Sequence, residues 1–179
     1  IEEYSEEFEL VVIEVSVVGK VIRVTTGYGP QETWSSEQRM PFFMTLEEEI
    51  TMAELAGRSI LICMDANSKM GPQHIPEDPH TISENGRVLE GILERHALTV
   101  ANGIRGKFSG VITRARTTKD HKEQSAIDLV CISQDLIEEL SSISIDEEKV
   151  YCLESIRRTK KGIQTSKSDH NSTISRFNI

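Results

Sequence analysis

Cysteine is scarce: Cys63, Cys131 and Cys152 are the only three in 179 residues, an odd number too small to build a disulfide framework. The first two sit inside apolar runs, where a thiol behaves as a small hydrophobe, so a reducing compartment is expected. Long apolar stretches are missing as well. The densest, Ile60-Leu61-Ile62-Cys63-Met64, falls far short of the roughly 20 residues that cross a bilayer. Residues 1–7 are acidic where a signal peptide is basic and then apolar, so the chain reads as intracellular with no membrane partner. No phosphate-cradling glycine loop, dinucleotide fingerprint, Gly-x-Ser-x-Gly, CxxC or HExxH occurs. Their absence removes the usual signatures of nucleotide binding, serine hydrolysis and structural or catalytic zinc. The sequon Asn171-Ser172-Thr173 stands alone and is discounted.

Basic charge is also in deficit, with 20 Lys and Arg against 29 Asp and Glu and a net charge of −9. The deficit is uneven. Residues 103–124 hold six bases against two acids, net +4, and residues 157–176 six against one, net +5, which leaves −18 on the remainder. An acidic body with two basic segments can meet a phosphate backbone locally, although solvated loops have the same composition. With 37% hydrophobic and 27% charged residues, the length suits one domain with its own core. Because it starts at Ile1 without Met, a fragment is expected. Oligomeric state leaves no mark.

Periodicity supplies the elements. Residues 8–18 and 21–26 read as neighbouring strands with both faces apolar, joined at Gly19-Lys20 and ended by Gly27-Tyr28-Gly29-Pro30, since proline cannot donate to a ladder. Phe43, Leu46, Ile50 and Ala53 recur at helical spacing, with Pro41 in the expected first turn. A strand over 59–64 follows, then a proline-rich loop, then a helix with Asn85 as N-cap and His96 at the end of its apolar stripe. Short strands are expected at 98–101 and 110–113, a buried strand at 125–133 and a short helix at 136–140. Further strands are expected at 143–150 and 171–177, with a basic loop between them. The class is α/β (α+β).

Chemistry-bearing residues sit at or inside these strands: Tyr28, Asp65 with Asn67, Asp128, and Asp169 with His170. Two residues apart on a strand, Asp65 and Asn67 would point to one side of the sheet. Alone, such a pair also merely ends strands. Together the set supplies a phenol, carboxylates, an amide and an imidazole, the inventory for metal-assisted attack of water on a phosphate ester. An EF-hand starting at Asp65 fails, because Met70 and Pro76 occupy the places that need glycine and glutamate. A zinc site from His74, Asp78 and His80 has the donors but lacks the spacing.

Gly27-Tyr28-Gly29-Pro30-Gln31, Asp65-Ala66-Asn67, Ile112-Thr113-Arg114, Ser125-Ala126-Ile127-Asp128-Leu129-Val130 and Ser168-Asp169-His170 resemble, in this order, the endonuclease/exonuclease/phosphatase superfamily. Among its apurinic endonucleases, pancreatic deoxyribonuclease and retrotransposon domains, the motifs look most like the endonuclease of non-LTR retrotransposons. The resemblance implies two packed, mainly antiparallel sheets flanked by helices and lacking the first strands, in a single, N-terminally incomplete domain over 1–179. It implies that Asp65 activates or orients water with Asn67 as amide partner, and that Tyr28 donates to the phosphate. His170 would contact the scissile phosphate, Asp128 would hold His170, and Asp169 would lie near the metal. Mg2+, with Mn2+ as substitute, is the implied cofactor, since hard cations take oxygen ligands. DNA is the implied partner, with Arg114, Arg116, Arg157, Arg158, Lys160 and Lys161 as backbone contacts. A fused reverse transcriptase and a nuclear location follow from the retroelement branch.

The chain departs from the pattern in having Met64 where the family has glycine and Ala66 where it has an aromatic residue. The family's N-terminal asparagine and metal-binding glutamate have no counterpart. An impaired nicking endonuclease is therefore expected. A non-catalytic remnant or binding module, and a phosphatase or phospholipase of the same superfamily, stay open as other readings.

Overall fold

The computed structural model describes residues 9–117, 122–146, 148, 154–159 and 162–178. Strands β1 (Glu9–Val17) and β2 (Lys20–Tyr28) form a hairpin turned at Gly19, whose φ of 77° suits glycine. Helix α1 (Ser36–Leu55) then crosses over to β3 (Ser59–Asp65), which pairs parallel with β2, as such a connection requires. Strands β4 (Thr99–Val100) and β8 (Asp128–Ile132) complete a five-stranded sheet of order β1-β2-β3-β8-β4. A second sheet has the order β12-β9-β5, built from β5 (Phe108–Ser109), β9 (Leu140–Ile145) and β12 (Thr173–Phe177). Two hairpins stand apart: β6 (Arg114–Thr117) with β7 (Lys122–Ser125), and β10 (Glu154–Thr159) with β11 (Gly162–Lys167).

The run 60–64 is apolar throughout because β3 is covered on both faces. Ile60, Ile62 and Met64 pack with Phe42, Phe43, Leu46 and Ile50 of α1 and with Leu89, Ile92 and Leu93 of α2 (Glu84–Arg95). The alternate residues Leu61 and Cys63 face the other way. There Ile22, Val130 and Ile132 meet Leu136 of α3 (Gln134–Ile137) and Leu140 and Ile143 of β9. Helices, sheet and second sheet thus form three layers, with mainly antiparallel pairing. Among the described residues no helix is long and apolar enough to cross a membrane.

Several expected boundaries move for local reasons. Helix α1 begins at Ser36, so Pro41 lies inside it, because Ser35 and Gln38 form a reciprocal capping box. The N-cap of α2 is Ser83, whose Oγ accepts from the Gly86 amide at 3.2 Å, while Asn85 is buried as the second residue of the first turn. The strand expected over 125–133 is split, since the Ile127 amide turns to Thr113 Oγ1 and its carbonyl to the Ala66 amide. Residues 110–113 connect β5 to β6 and form no strand, and 98–101 contributes only β4 before a 3-10 turn over Ala101–Gly103. Leu140 opens β9 and is not part of α3. The basic segment beyond Ser155, expected as a loop, is the β10–β11 hairpin, whose β-branched residues suit strands.

The expectation that the first strand is covered on both faces fails. Val11, Ile13 and Val15 are 53%, 54% and 39% exposed, because among the described residues the second sheet has three strands against the first sheet's five. Ile62→Ala, which empties a fully buried site, is expected to cost about 2–5 kcal/mol. Ile13→Thr is expected to change stability by less than about 0.5 kcal/mol. Urea unfolding followed by circular dichroism measures both, and equal losses would show the β1 face to be packed.

Candidate active site

The strand register builds the site. Tyr28 stands beside Asp65 in the parallel pairing of β2 with β3, and Asp65 stands opposite Asp128 in the antiparallel pairing of β3 with β8. Three reactive side chains therefore occupy one row at the end of the sheet where β3 finishes. The loop leaving Tyr28 is held against the turn leaving Asp65, as the Gly29 amide donates to the Asp65 carbonyl at 2.7 Å. A Cβ on Gly29 would lie 2.5 Å from the Ala66 carbonyl oxygen, so the approach requires glycine. Met64 and Ala66, the two departures from the family pattern, are both buried in the helix-side core.

Strand alternation does not reach Asn67. The strand ends at Asp65, and Asn67 has a φ of 43°. Its amide donates to Asp65 Oδ1 at 3.1 Å and its Nδ2 to the Gly29 carbonyl at 2.8 Å. Asn67 still lines a cavity of about 430 Å³ with Tyr28, Arg114, Asp169 and His170. Asp65 and Asp128 line a larger one of about 560 Å³ between the sheets, and His170 borders both.

His170 is brought in by a bridge to Arg114 and by the Ala115 amide donating to the Asp169 carbonyl at 2.8 Å. Its Nδ1 lies 3.1 and 3.0 Å from the two Asp128 carboxylate oxygens. A carboxylate only accepts, so Nδ1 carries the proton. The opposite nitrogen, Nε2, is 3.7 Å from Asp65 Oδ2 and 3.9 Å from Asp169 Oδ1. The Asp128 hydrogen bond raises His170 above its ordinary 6.5, against burial, which lowers it. Burial, and next the charge of Asp128, raise Asp65 above its ordinary value; the Asn67 amide and the charges of His170 and Arg114 oppose this. For Asp169 burial pushes upward but is outweighed by Arg114, whose Nε donates to Oδ2 at 3.0 Å, and the carboxyl stays below its ordinary range.

Asp65, Asp128 and His170 offer ligand atoms within 4.8 Å of one another, the cluster among the described residues that could hold a metal ion. Asp169, expected near the metal, stands beside this cluster, tied to Arg114. Arg114, expected as a contact to DNA phosphates, is a half-buried partner of that carboxylate. Arg157 and Arg158 lie on β10, Arg116 on β6, and Lys160 and Lys161 fall outside the described residues. The His74, Asp78 and His80 set does not converge. His74 pairs with Glu90 at 2.6 Å, Asp78 accepts from the Gly71 and His80 amides, and His80 Nε2 meets the Gln124 carbonyl at 2.6 Å.

Three buried polar residues support the site without being among the expected site residues: Asn85, Asn102 and Thr113. Asn85 Nδ2 donates to the carbonyls of Pro30 at 2.8 Å and Asn67 at 3.3 Å, joining α2 to both site loops. Its signal was present as a polar residue in an amphipathic helix, where capping was the simpler explanation. Asn102 directly follows the segment 98–101 and Thr113 ends the segment 110–113, positions where a polar residue reads as a simple strand end.

No family model and no curated protein sequence matches the chain. Solved structures do. The endonuclease domain of TRAS1, a telomere-specific non-LTR retrotransposon, is 18% identical with a TM-score of 0.65, over 95% of this chain and 64% of that one. The 3'-5' exonuclease NExo from Neisseria meningitidis is 18% identical with a TM-score of 0.65, over 94% of this chain and 65% of that one. An endonuclease/exonuclease/phosphatase family protein from Bacteroides thetaiotaomicron is 12% identical with a TM-score of 0.54, over 93% of this chain and 53% of that one. The chain thus spans between about half and two thirds of the length of these structures. Three layers, the strand order and these superpositions agree that this chain has the endonuclease/exonuclease/phosphatase fold.

Proposed function

We propose that the cluster around His170 is a metal-assisted phosphodiesterase centre acting on DNA, from the endonuclease of a retroelement. The observation that carries this is the imidazole held by Asp128 on one nitrogen while the other faces Asp65 and Asp169. A raised His170 remains cationic closer to neutral pH, where it can bind a phosphate oxygen. Asp65, poorly solvated, is suited to accept a proton from water, and the Asn67 carboxamide beside it can fix that water's direction. Tyr28, 44% exposed at the cavity mouth, offers a phenol donor to the phosphate. Arg114 holds Asp169 and adds positive charge beside the entering backbone.

The donor chemistry fits an oxygen-preferring divalent ion such as Mg2+, with Mn2+ as substitute, which would sit at the cluster of Asp65, Asp128 and His170 with Asp169 beside it. Such an ion would neutralise charge developing on the phosphate. TRAS1 and NExo, a retrotransposon endonuclease and an exonuclease, support DNA as substrate and the retroelement origin. A reverse transcriptase in the same polypeptide and action in the nucleus belong to this proposal.

Purified chain incubated with supercoiled plasmid and Mg2+ is expected to yield open circles, and chelation is expected to stop it. Asp65→Ala and His170→Ala are each expected to lower the rate by about 100-fold or more. Nicking that persists without metal and in both variants overturns the reading. DNA binding without nicking identifies a binding module, and hydrolysis of a soluble inositol phosphate in place of plasmid identifies a phosphatase.

In the metal-free protein, the His170 ring followed by NMR is expected to titrate above 6.5, and Asp128→Asn is expected to bring it down. Because the folded value lies above the unfolded one, His170 contributes its full stabilisation below about 6.5, and this is lost as pH rises through the folded value. The stability gap between the wild type and His170→Gln is therefore expected to shrink over that rise. A gap that widens with pH contradicts the assignment.

A further inference from the structure

Thr113 is fully buried in the connection between β5 and β6. Its backbone joins segments on both sides of the Asp128–His170 pair: its amide donates to the Ser125 carbonyl at 3.0 Å, and its carbonyl accepts from the Asn171 amide at 2.5 Å. Its side chain reaches Asp128 itself. Thr113 Oγ1 accepts from the amides of Ile127 and Asp128, each at 2.9 Å, and the Ser125 carbonyl lies 3.5 Å away to take the hydroxyl proton.

The reason for such an arrangement lies in the sheet. Strand β4 pairs with β8 only at Ile132 and Cys131, so toward Asp128 the side of β8 away from β3 runs past the end of its neighbour. Side chains take over there. Asn102, also buried, accepts from the Val130 amide at 2.7 Å through Oδ1 and donates to the Asp128 carbonyl at 3.2 Å through Nδ2. Both peptide groups of Asp128 are thus held by side chains, the amide by Thr113 and the carbonyl by Asn102. The aim of the Asp128 carboxylate onto His170 Nδ1 depends on that backbone being fixed.

We propose that Thr113, through its hydroxyl, is the positioning residue of the Asp128–His170 pair: it sets the Asp128 backbone and thereby the ring orientation and proton position of His170. The proposal rests on the reading that His170 acts on a phosphodiester, but the geometry it predicts can be measured without turnover. Thr113→Val keeps shape and backbone bonds and removes the hydroxyl, both the oxygen that accepts from Ile127 and Asp128 and the proton directed at Ser125, whereas Thr113→Ser keeps both.

The experiment uses the full chain, 15N-labelled at histidine and metal-free, at a pH where the His170 ring is neutral. Long-range proton–nitrogen correlation then reads which nitrogen holds the proton. Wild type and T113S are expected to show one tautomer, protonated at Nδ1, and T113V a mixture. In plasmid nicking T113V is expected to lose about 10–100-fold in kcat, with KM for DNA little changed and T113S near wild type. A lowered melting temperature in T113V is common to any buried residue, so the tautomer and the kcat change decide.

Should T113V not fold, Thr113→Cys, with a weaker acceptor, is expected to shift both readouts in the same direction by less. A tautomer and kcat in T113V or T113C equal to those of wild type overturn the proposal. A tautomer change in a chain that does not nick sustains the positioning role and removes the nuclease reading.

Discussion

The pairing of β3 with β8 is the constraint on which the site depends, because it sets Asp65 opposite Asp128. Two carboxylates facing each other across a sheet repel, by about 3 kcal/mol at roughly 5 Å and an effective dielectric near 20. The fold accepts this repulsion because β3 is clamped from both faces. Ile60, Ile62 and Met64 are locked against α1 and α2, while Leu61 and Cys63 face the second sheet. Each fully buried aliphatic side chain contributes about 1.5–3 kcal/mol, so the packing behind the row outweighs the repulsion within it.

What balances the row electrostatically is His170. When protonated it is the cation among Asp65, Asp128 and Asp169, and Arg114 offsets the last of these, so two positive charges meet three negative ones. This local balance differs from the chain's net charge of −9, which by itself argues against a polyanionic ligand. In the proposed function a phosphate backbone would meet the charges of the cavity at close range, and at physiological ionic strength charges beyond about 8 Å are largely screened. An acidic body and a DNA-directed site are thus compatible.

How far this was legible in the sequence depends on the kind of signal. Tyr28 and Asp65 lie at strand ends that apolar runs and turn residues mark, Asp128 and His170 lie in or beside expected strands, and the structure brings the four together. Long-range pairing carries no such mark. That Arg114 would turn inward to Asp169, or that residues 154–167 would form a hairpin, is decided by partners distant in sequence. The supports were hidden for a related reason. Asn85 looked like a cap, and Thr113 and Asn102 replace strand partners at positions where β4 stops short. The covering of β1 was misread because an apolar strand looks the same whether or not a second layer lies over it.

In the proposed function Asp65, Asp128 and His170 make one metal-responsive centre. Paramagnetic broadening by Mn2+ tests it most directly, because the chain carries four other histidines, His74, His80, His96 and His121, as internal controls. Sub-stoichiometric Mn2+ is expected to broaden the His170 ring signal first and selectively, and Asp65→Asn is expected to abolish that selectivity. Broadening that begins at another histidine, or that affects all five alike, would contradict the account.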